Sequence, residues 1–191
     1  MGRLIMMMMP VTPKFIVGWV AKRYVAGTDL ESAMQVMRSM KSQDACFTLD
    51  VLGEEITNLE EADFFVDEYH RALNAIVAEG MDANISVKPT AVGLLIDENK
   101  ALENIENITS VAAKNNIFVR LDMEDHRVTQ STIDIVTEMH DRGLTNIGTV
   151  LQSRLFRTSD DISSLASKLN GSSDVRICKG IYLESEDIAH T

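Results

Sequence analysis

The chain has 191 residues, 45% of them hydrophobic and 25% charged, proportions of an ordinary globular protein with room for one real core. A formal net charge of −11, with Lys and Arg scattered along the chain, sets its average field against phosphate backbones and excludes a nucleic-acid partner. Cys46 and Cys178 have neither the spacing of a zinc site nor that of a redox pair, so no metal centre is expected. Both fall in runs that read as buried strands, as small apolar core residues of a reducing compartment would. The apolar stretch from Leu4 to Met9 is too short for a signal core or a bilayer span. The expectation is a cytoplasmic protein whose membrane contact, if any, is peripheral.

In chain order, Val20 to Met40 reads as helical and precedes any strand. Ala45 to Leu52 is the first strand candidate. A helix follows, capped by Asn58 with Glu61 three residues on. Its apolar positions Phe64, Phe65, Tyr69, Leu73, Ile76 and Val77 recur at helical spacing, and Gly80 suits its C-terminal cap. Ile85 to Thr90 is the second strand, with a helix through Leu102, Ile105, Ile108 and Val111. Ile117 to Glu124 is the third, with Thr132 to His140 helical and Gly143 closing it. Asn146 to Gln152 is the fourth, followed by a helix from Ser159 to Leu169 that stops at Gly171. Val175 to Gly180 is the fifth, and Ser185 to Ala189 begins another helix.

This alternation indicates βα units on a parallel sheet. The glycine-rich turn of a dinucleotide fold is missing after the first strand. Asp50, Lys88, Asp122, Gln152 and Lys179 instead fall near the C-terminal ends of five different strands. Such residues are costly to bury in apolar strands without partners, and their repetition at one end is what a barrel's active face requires. The expected fold is therefore α/β, a partial TIM-like (β/α)8 barrel of about five units over residues 45–191, behind an N-terminal helical segment over residues 1–44.

A mouth lined by two lysines, several carboxylates and Arg176 favours an anionic small molecule. Lys88 or Lys179 can bind a carboxylate as a point charge or, if desolvated, act as a Schiff-base nucleophile. Gln152 offers a donor and an acceptor to an amide-like heterocycle edge. Arg176 and Lys179 can stabilise charge developing on a bound cofactor. These residue types reach a barrel enzyme acting on an acid and no further.

Six ordered blocks add a resemblance: "RYVAGTDLESAM" (Arg23 to Met34), "TLDVLGE" (Thr48 to Glu54), "SVKPTAVGL" (Ser86 to Leu94), "RLDMED" (Arg120 to Asp125), "VLQSRLFRT" (Val150 to Thr158) and "VRICKGIYLE" (Val175 to Glu184). Together they resemble the proline dehydrogenases, in particular the bacterial single-function enzymes. The resemblance implies oxidation of L-proline to Δ1-pyrroline-5-carboxylate, with FAD as cofactor and a quinone as electron acceptor. It further implies that Lys88 pairs with the substrate carboxylate and that Asp122 is the strand-end acid. Met123 would touch the flavin through its backbone, and Gln152 would bond its pyrimidine edge. Arg176 would lie against its reactive nitrogen, with Lys179, Gly180 and Ile181 along its phosphate and ribitol side. The family's remaining strands are expected beyond Thr191.

Departures from the family pattern are His126, where a small hydroxyl residue is usual, and Arg154, where an aromatic is usual. Pro89 directly after Lys88 removes a backbone donor, so the second strand should bulge or end there. Each role also has a plainer counterpart: Met123 as core filler, Arg176 as an ion-pair partner of Asp122, Lys179 as a solvated rim residue. Two other functions stay open at this point, a Schiff-base lyase of the aldolase type using Lys88 or Lys179, and a barrel fragment without catalysis.

Overall fold

The computed structural model describes residues 25–172 and 174–190. The chain divides into two compact units at Ala45/Cys46. In the first, helix α1 (Leu30–Lys41) starts where the Asp29 carboxylate accepts the Ser32 N–H at 2.8 Å. Helix was expected from Val20; residues 25–29 are not helical, and 20–24 lie outside the described residues.

The second unit is a five-stranded parallel sheet in the order β1 (Phe47–Asp50), β2 (Ala83–Val87), β3 (Val119–Leu121), β4 (Ile147–Gln152), β5 (Val175–Cys178). Between them run α2 (Leu59–Glu79), α3 (Glu98–Ala113), α4 (His126–Asp141) and α5 (Thr158–Lys168). Every strand pairs with its neighbour in sequence and the order never reverses, whereas a doubly wound sheet reverses at a switch point. This is the progression of a (β/α) barrel wall, as expected.

The register divides the side chains between two faces. Asp50 lies opposite Ser86, Ser86 opposite Arg120, Arg120 opposite Gly148, and Val150 opposite Arg176. With a side-chain period of two, Gln152 shares that polar face. The other face carries Ile85, Val87, Val119, Leu121, Ile147 and Leu151, all buried where helices such as α2 and α4 pack.

Helix α2 starts at Asn58, whose side chain accepts the Glu61 N–H at 3.0 Å, and ends at Gly80, with φ of 56°. Glu61 does not reach back to the cap's backbone as the expected box would. It accepts from the Asn58 amide at 2.5 Å and the Thr57 hydroxyl at 2.8 Å. The buried stripe is Ala62, Val66, Tyr69, Ala72, Leu73 and Ile76, while Phe64 and Val77 are exposed, contrary to expectation. Two alanines let the helix approach the sheet closely and centre the stripe away from Phe64.

Three further expectations are corrected. Cys46 precedes β1 and is exposed, and Cys178 is only half-buried in β5, so neither is a core residue. Strand β2 runs to Val87 and not to Thr90; it ends before Pro89, as that proline predicts, and Pro89 opens a 3-10 turn (Pro89–Val92). Residues 185–189 make a single turn in place of a helix. An antiparallel bridge from Leu155 to Ala189 and the Phe156 N–H bond to the Ile188 carbonyl (3.0 Å) draw this segment along the β4–α5 loop.

Candidate active site

Because all strands run parallel, residues ending different strands meet at one rim. Asp50 ends β1, Lys88 follows β2, Asp122 follows β3, Gln152 ends β4 and Lys179 follows β5.

Lys88 is the centre of the first cluster. Its ammonium lies 2.9 Å from Asp50 Oδ2 and 3.5 Å from Asp122 Oδ2, and its side chain is 12% exposed. The Ser86 hydroxyl donates to Asp122 Oδ1 at 2.8 Å. Burial alone would depress the Lys88 ammonium. The Asp50 hydrogen bond and the charges of Asp50, Asp122 and Glu54 outweigh it, and the net shift is upward. A cation so held suits binding a carboxylate; a Schiff-base nucleophile needs the neutral amine. Asp122 therefore pairs with Lys88 and not with Arg176, which is exposed and makes no ion pair among the described residues.

Gln152 is the centre of the second cluster. It is 2% exposed, and its amide nitrogen donates to the Met123 carbonyl at 3.0 Å and the Glu124 carbonyl at 2.9 Å. Its Oε1 is buried without a partner. Gly180, at φ of 95°, lies against this oxygen, and a Cβ there would stand 2.6 Å from it. The Met123 side chain is buried, as core filler would be, and its carbonyl is the part that faces the cluster. Lys179 and Ile181 are exposed, Ile181 at 86%.

Sequence reasoning missed several residues here. Glu124, 4% exposed, accepts from the Thr90 N–H at 2.9 Å and the Thr90 hydroxyl at 2.6 Å. Arg154, which stands where the family usually has an aromatic, donates to the carbonyls of Tyr182 (2.9 Å) and His190 (3.1 Å), strapping residues 182–190 across the loop after β4. The Glu184 carboxylate accepts from the His126 backbone at 2.9 Å and meets its ring nitrogen at 2.6 Å, so His126 ties down that strap from the start of α4. Tyr182 lies 3.5 Å from Glu54, its phenol raised by burial and then by the charge of Glu124. No short motif marks these partners, which come from different strand ends. The described residues hold no cluster of metal-ligating type.

Comparison with known proteins gives the family. The family model for proline dehydrogenase matches residues 33–191. The chain belongs to the proline dehydrogenase family. Proline dehydrogenase 1 of Bacillus subtilis subsp. natto is 32% identical over 169 residues, 88% of this chain and 55% of that protein. Proline dehydrogenase 2 of Bacillus subtilis strain 168 is 35% identical over 169 residues, 88% of this chain and 54% of that protein. The Deinococcus radiodurans proline dehydrogenase is 34% identical over 174 residues, 89% of this chain and 55% of that protein. The chain thus spans about half the length of the curated relatives it matches. Among solved structures, proline utilization A from Bdellovibrio bacteriovorus, inactivated by N-propargylglycine, superposes with a TM-score of 0.80 at 22% identity, covering 87% of this chain and 21% of that one. A bifunctional proline utilization A superposes at 0.67 and 19% identity, over 81% of this chain and 18% of that one. Both likenesses show that the chain shares the fold of the part of proline utilization A it superposes on. Nothing in them favours a lyase.

Proposed function

We propose that this chain forms the flavin-binding and substrate-carboxylate-binding part of an enzyme that oxidises L-proline to Δ1-pyrroline-5-carboxylate, with FAD as cofactor and a quinone as acceptor. The observation that carries the reading is the pairing, at one rim, of a largely buried ammonium with a buried, unpartnered amide oxygen.

The residues present fit a flavin. Gln152 Oε1 is an acceptor without a donor, and the imide N–H of a flavin ring is a donor of the matching kind. A Cβ at Gly180 would stand 2.6 Å from this oxygen and 2.9 Å from the Arg154 side chain, so only glycine fits against the amide. Arg176, on the same sheet face, supplies positive charge where flavin nitrogen would gain electrons, and Lys179 and Ile181 offer an open edge to the rest of the cofactor. Met123 contributes its backbone. When bound, the flavin supplies the hydride-accepting chemistry.

The chain's own residues bind and orient. Lys88 draws the substrate carboxylate, trading part of its hold on Asp50 and Asp122 for a third oxygen donor. Asp122, held by Ser86, keeps Lys88 aimed from one side and Asp50 from the other. Fixing the acid end of proline sets which carbon faces the cofactor. No helix among the described residues is long and apolar enough to cross a membrane. We place the protein in the cytoplasm, with peripheral contact where the quinone resides.

The test is spectroscopic. The chain, loaded with FAD, should show a flavin band that bleaches when L-proline is added without oxygen. A band that persists, or a chain that takes up no FAD, overturns the proposal.

A further inference from the structure

The Lys88 cluster and the Gln152 cluster are joined by a side chain that belongs to neither. Both carboxylate oxygens of Glu124 rest on Thr90, Oε2 on its N–H at 2.9 Å and Oε1 on its hydroxyl at 2.6 Å. Thr90 lies in the 3-10 turn that begins one residue after Lys88, and the Ala91 N–H closes that turn on the Lys88 carbonyl at 3.1 Å. The Thr90 hydroxyl oxygen accepts the Glu55 N–H at 2.9 Å, which leaves its proton for Glu124 and ties in the loop after β1. On the other side, the Glu124 carbonyl accepts from the Gln152 amide at 2.9 Å, beside the Met123 carbonyl. One residue therefore bonds to the turn that carries the cation and to the amide that carries the free acceptor.

The arrangement opposes the tendency of a buried acid. Burial pushes the Glu124 carboxyl up and the two Thr90 donors pull it down, nearby Glu54 raises it and Lys88 lowers it, and the net shift stays upward. A carboxylate this buried is costly unless its bonds are made, so the Thr90 turn has one favourable position. We propose that Glu124 is a positioning residue that holds the Lys88 turn and the Gln152 amide in one frame, so that cation and acceptor face their ligands at a fixed separation. What those two groups bind rests on the function proposed above; the strut is a property of this chain alone.

The substitutions have separable consequences. In Glu124→Gln, the side-chain oxygen can still accept from the Thr90 N–H and the new NH2 can donate to the Thr90 hydroxyl oxygen, which keeps the shape and removes the charge. Glu124→Ala removes both bonds. Thr90→Val removes the hydroxyl's bonds to Glu124 and to the Glu55 N–H and leaves the Thr90 N–H bond to Glu124.

The test measures the reactivity of Lys88 in the full chain, without flavin or turnover. Limited acylation with acetic anhydride is followed by mass spectrometry, with the half-exposed Lys100 and the exposed Lys168 of the same sample as references. Losing charge-assisted hydrogen bonds on the turn should raise Lys88 acylation relative to those references roughly tenfold in Glu124→Ala. Glu124→Gln should stay within about twofold of wild type and Thr90→Val should fall between them. The proposal is overturned if Glu124→Ala and Thr90→Val, both folded by circular dichroism, leave the ratio unchanged. It is equally overturned if all three lysines rise in step, which is general destabilisation. Should Glu124→Ala not fold, Thr90→Val decides alone, a raised ratio supporting the strut and an unchanged one rejecting it. Failure of proline oxidation leaves these ratios untouched, so the two proposals fail separately.

Discussion

Lys88 carries the most at the scale of single residues. Its ammonium is favoured in the folded state, so its contribution to stability is complete below the ordinary lysine range near about 10.4 and is lost as pH rises through the higher folded-state value. Wild type should therefore lose more unfolding free energy than Lys88→Met between about pH 10 and 12, measured by urea titration. Gly180 matters through what it lacks. In Gly180→Ala a Cβ meets Gln152 Oε1 and the backbone keeps a conformation that favours glycine, so FAD affinity should fall roughly tenfold or more. Unchanged affinity in a fluorescence titration would remove Gln152 from the cofactor site. Asp50, Lys88, Asp122 and Gln152 were legible in the sequence because polar residues ending apolar strands repeat with the βα period. Glu124 and Thr90 were not, since their bond joins positions 34 apart on different strand ends.

Elements were read well in type and less well in face and end. Helix α2 shows both outcomes. Its caps, Asn58 and Gly80, followed from local chemistry that a sequence displays. Its buried face depended on alanines whose value lies in close approach to the sheet, and apolar periodicity alone favoured Phe64 over Ala62 and Ala72. Tyr69→Ala should cost about 3–5 kcal/mol by leaving a cavity, whereas Phe64→Ser should cost within about 0.5 kcal/mol, both measured by chemical denaturation. Strand β5 is anchored by Arg120, which crosses under Gly148 to the Asp174 carbonyl at 3.0 Å and its carboxylate at 2.8 Å, with Phe118 against the guanidinium. Arg120→Met should lower stability by about 1–3 kcal/mol, since the carbonyls of Thr149 and Asp174 lose their donor. The segment after β5 read as a helix from composition; the donors of Arg154 and the bridge to Leu155 override that propensity.

For the whole molecule, topology gives the site its place. Five parallel strands in unbroken order can only present their C-terminal ends at one rim, and this is why residues from Asp50 to Lys179 share it. The (β/α) alternation made that architecture readable, and the six ordered blocks made the family readable. The strap over residues 182–190 could not be read, because it depends on one arginine reaching two distant carbonyls. Among the described residues, β1 and β5 each pair on one side only, and Leu52, Ile177 and Leu183 are exposed at 81%, 52% and 98%. Expressed as 191 residues, the chain should self-associate, with a sedimentation coefficient that rises with concentration.

The central proposal is that the strand-end ammonium of Lys88 holds the carboxylate of L-proline while the unpartnered Gln152 Oε1 accepts from the flavin. Anaerobic stopped-flow reduction of the FAD-loaded chain, with wild type and Lys88→Met compared over a range of L-proline concentrations, tests it most directly. The account predicts bleaching in both, with the half-saturating proline concentration raised roughly tenfold or more in the variant, as loss of a charge-assisted contact requires. Equal concentration dependence in the two proteins, or no reduction of wild-type flavin, would contradict it.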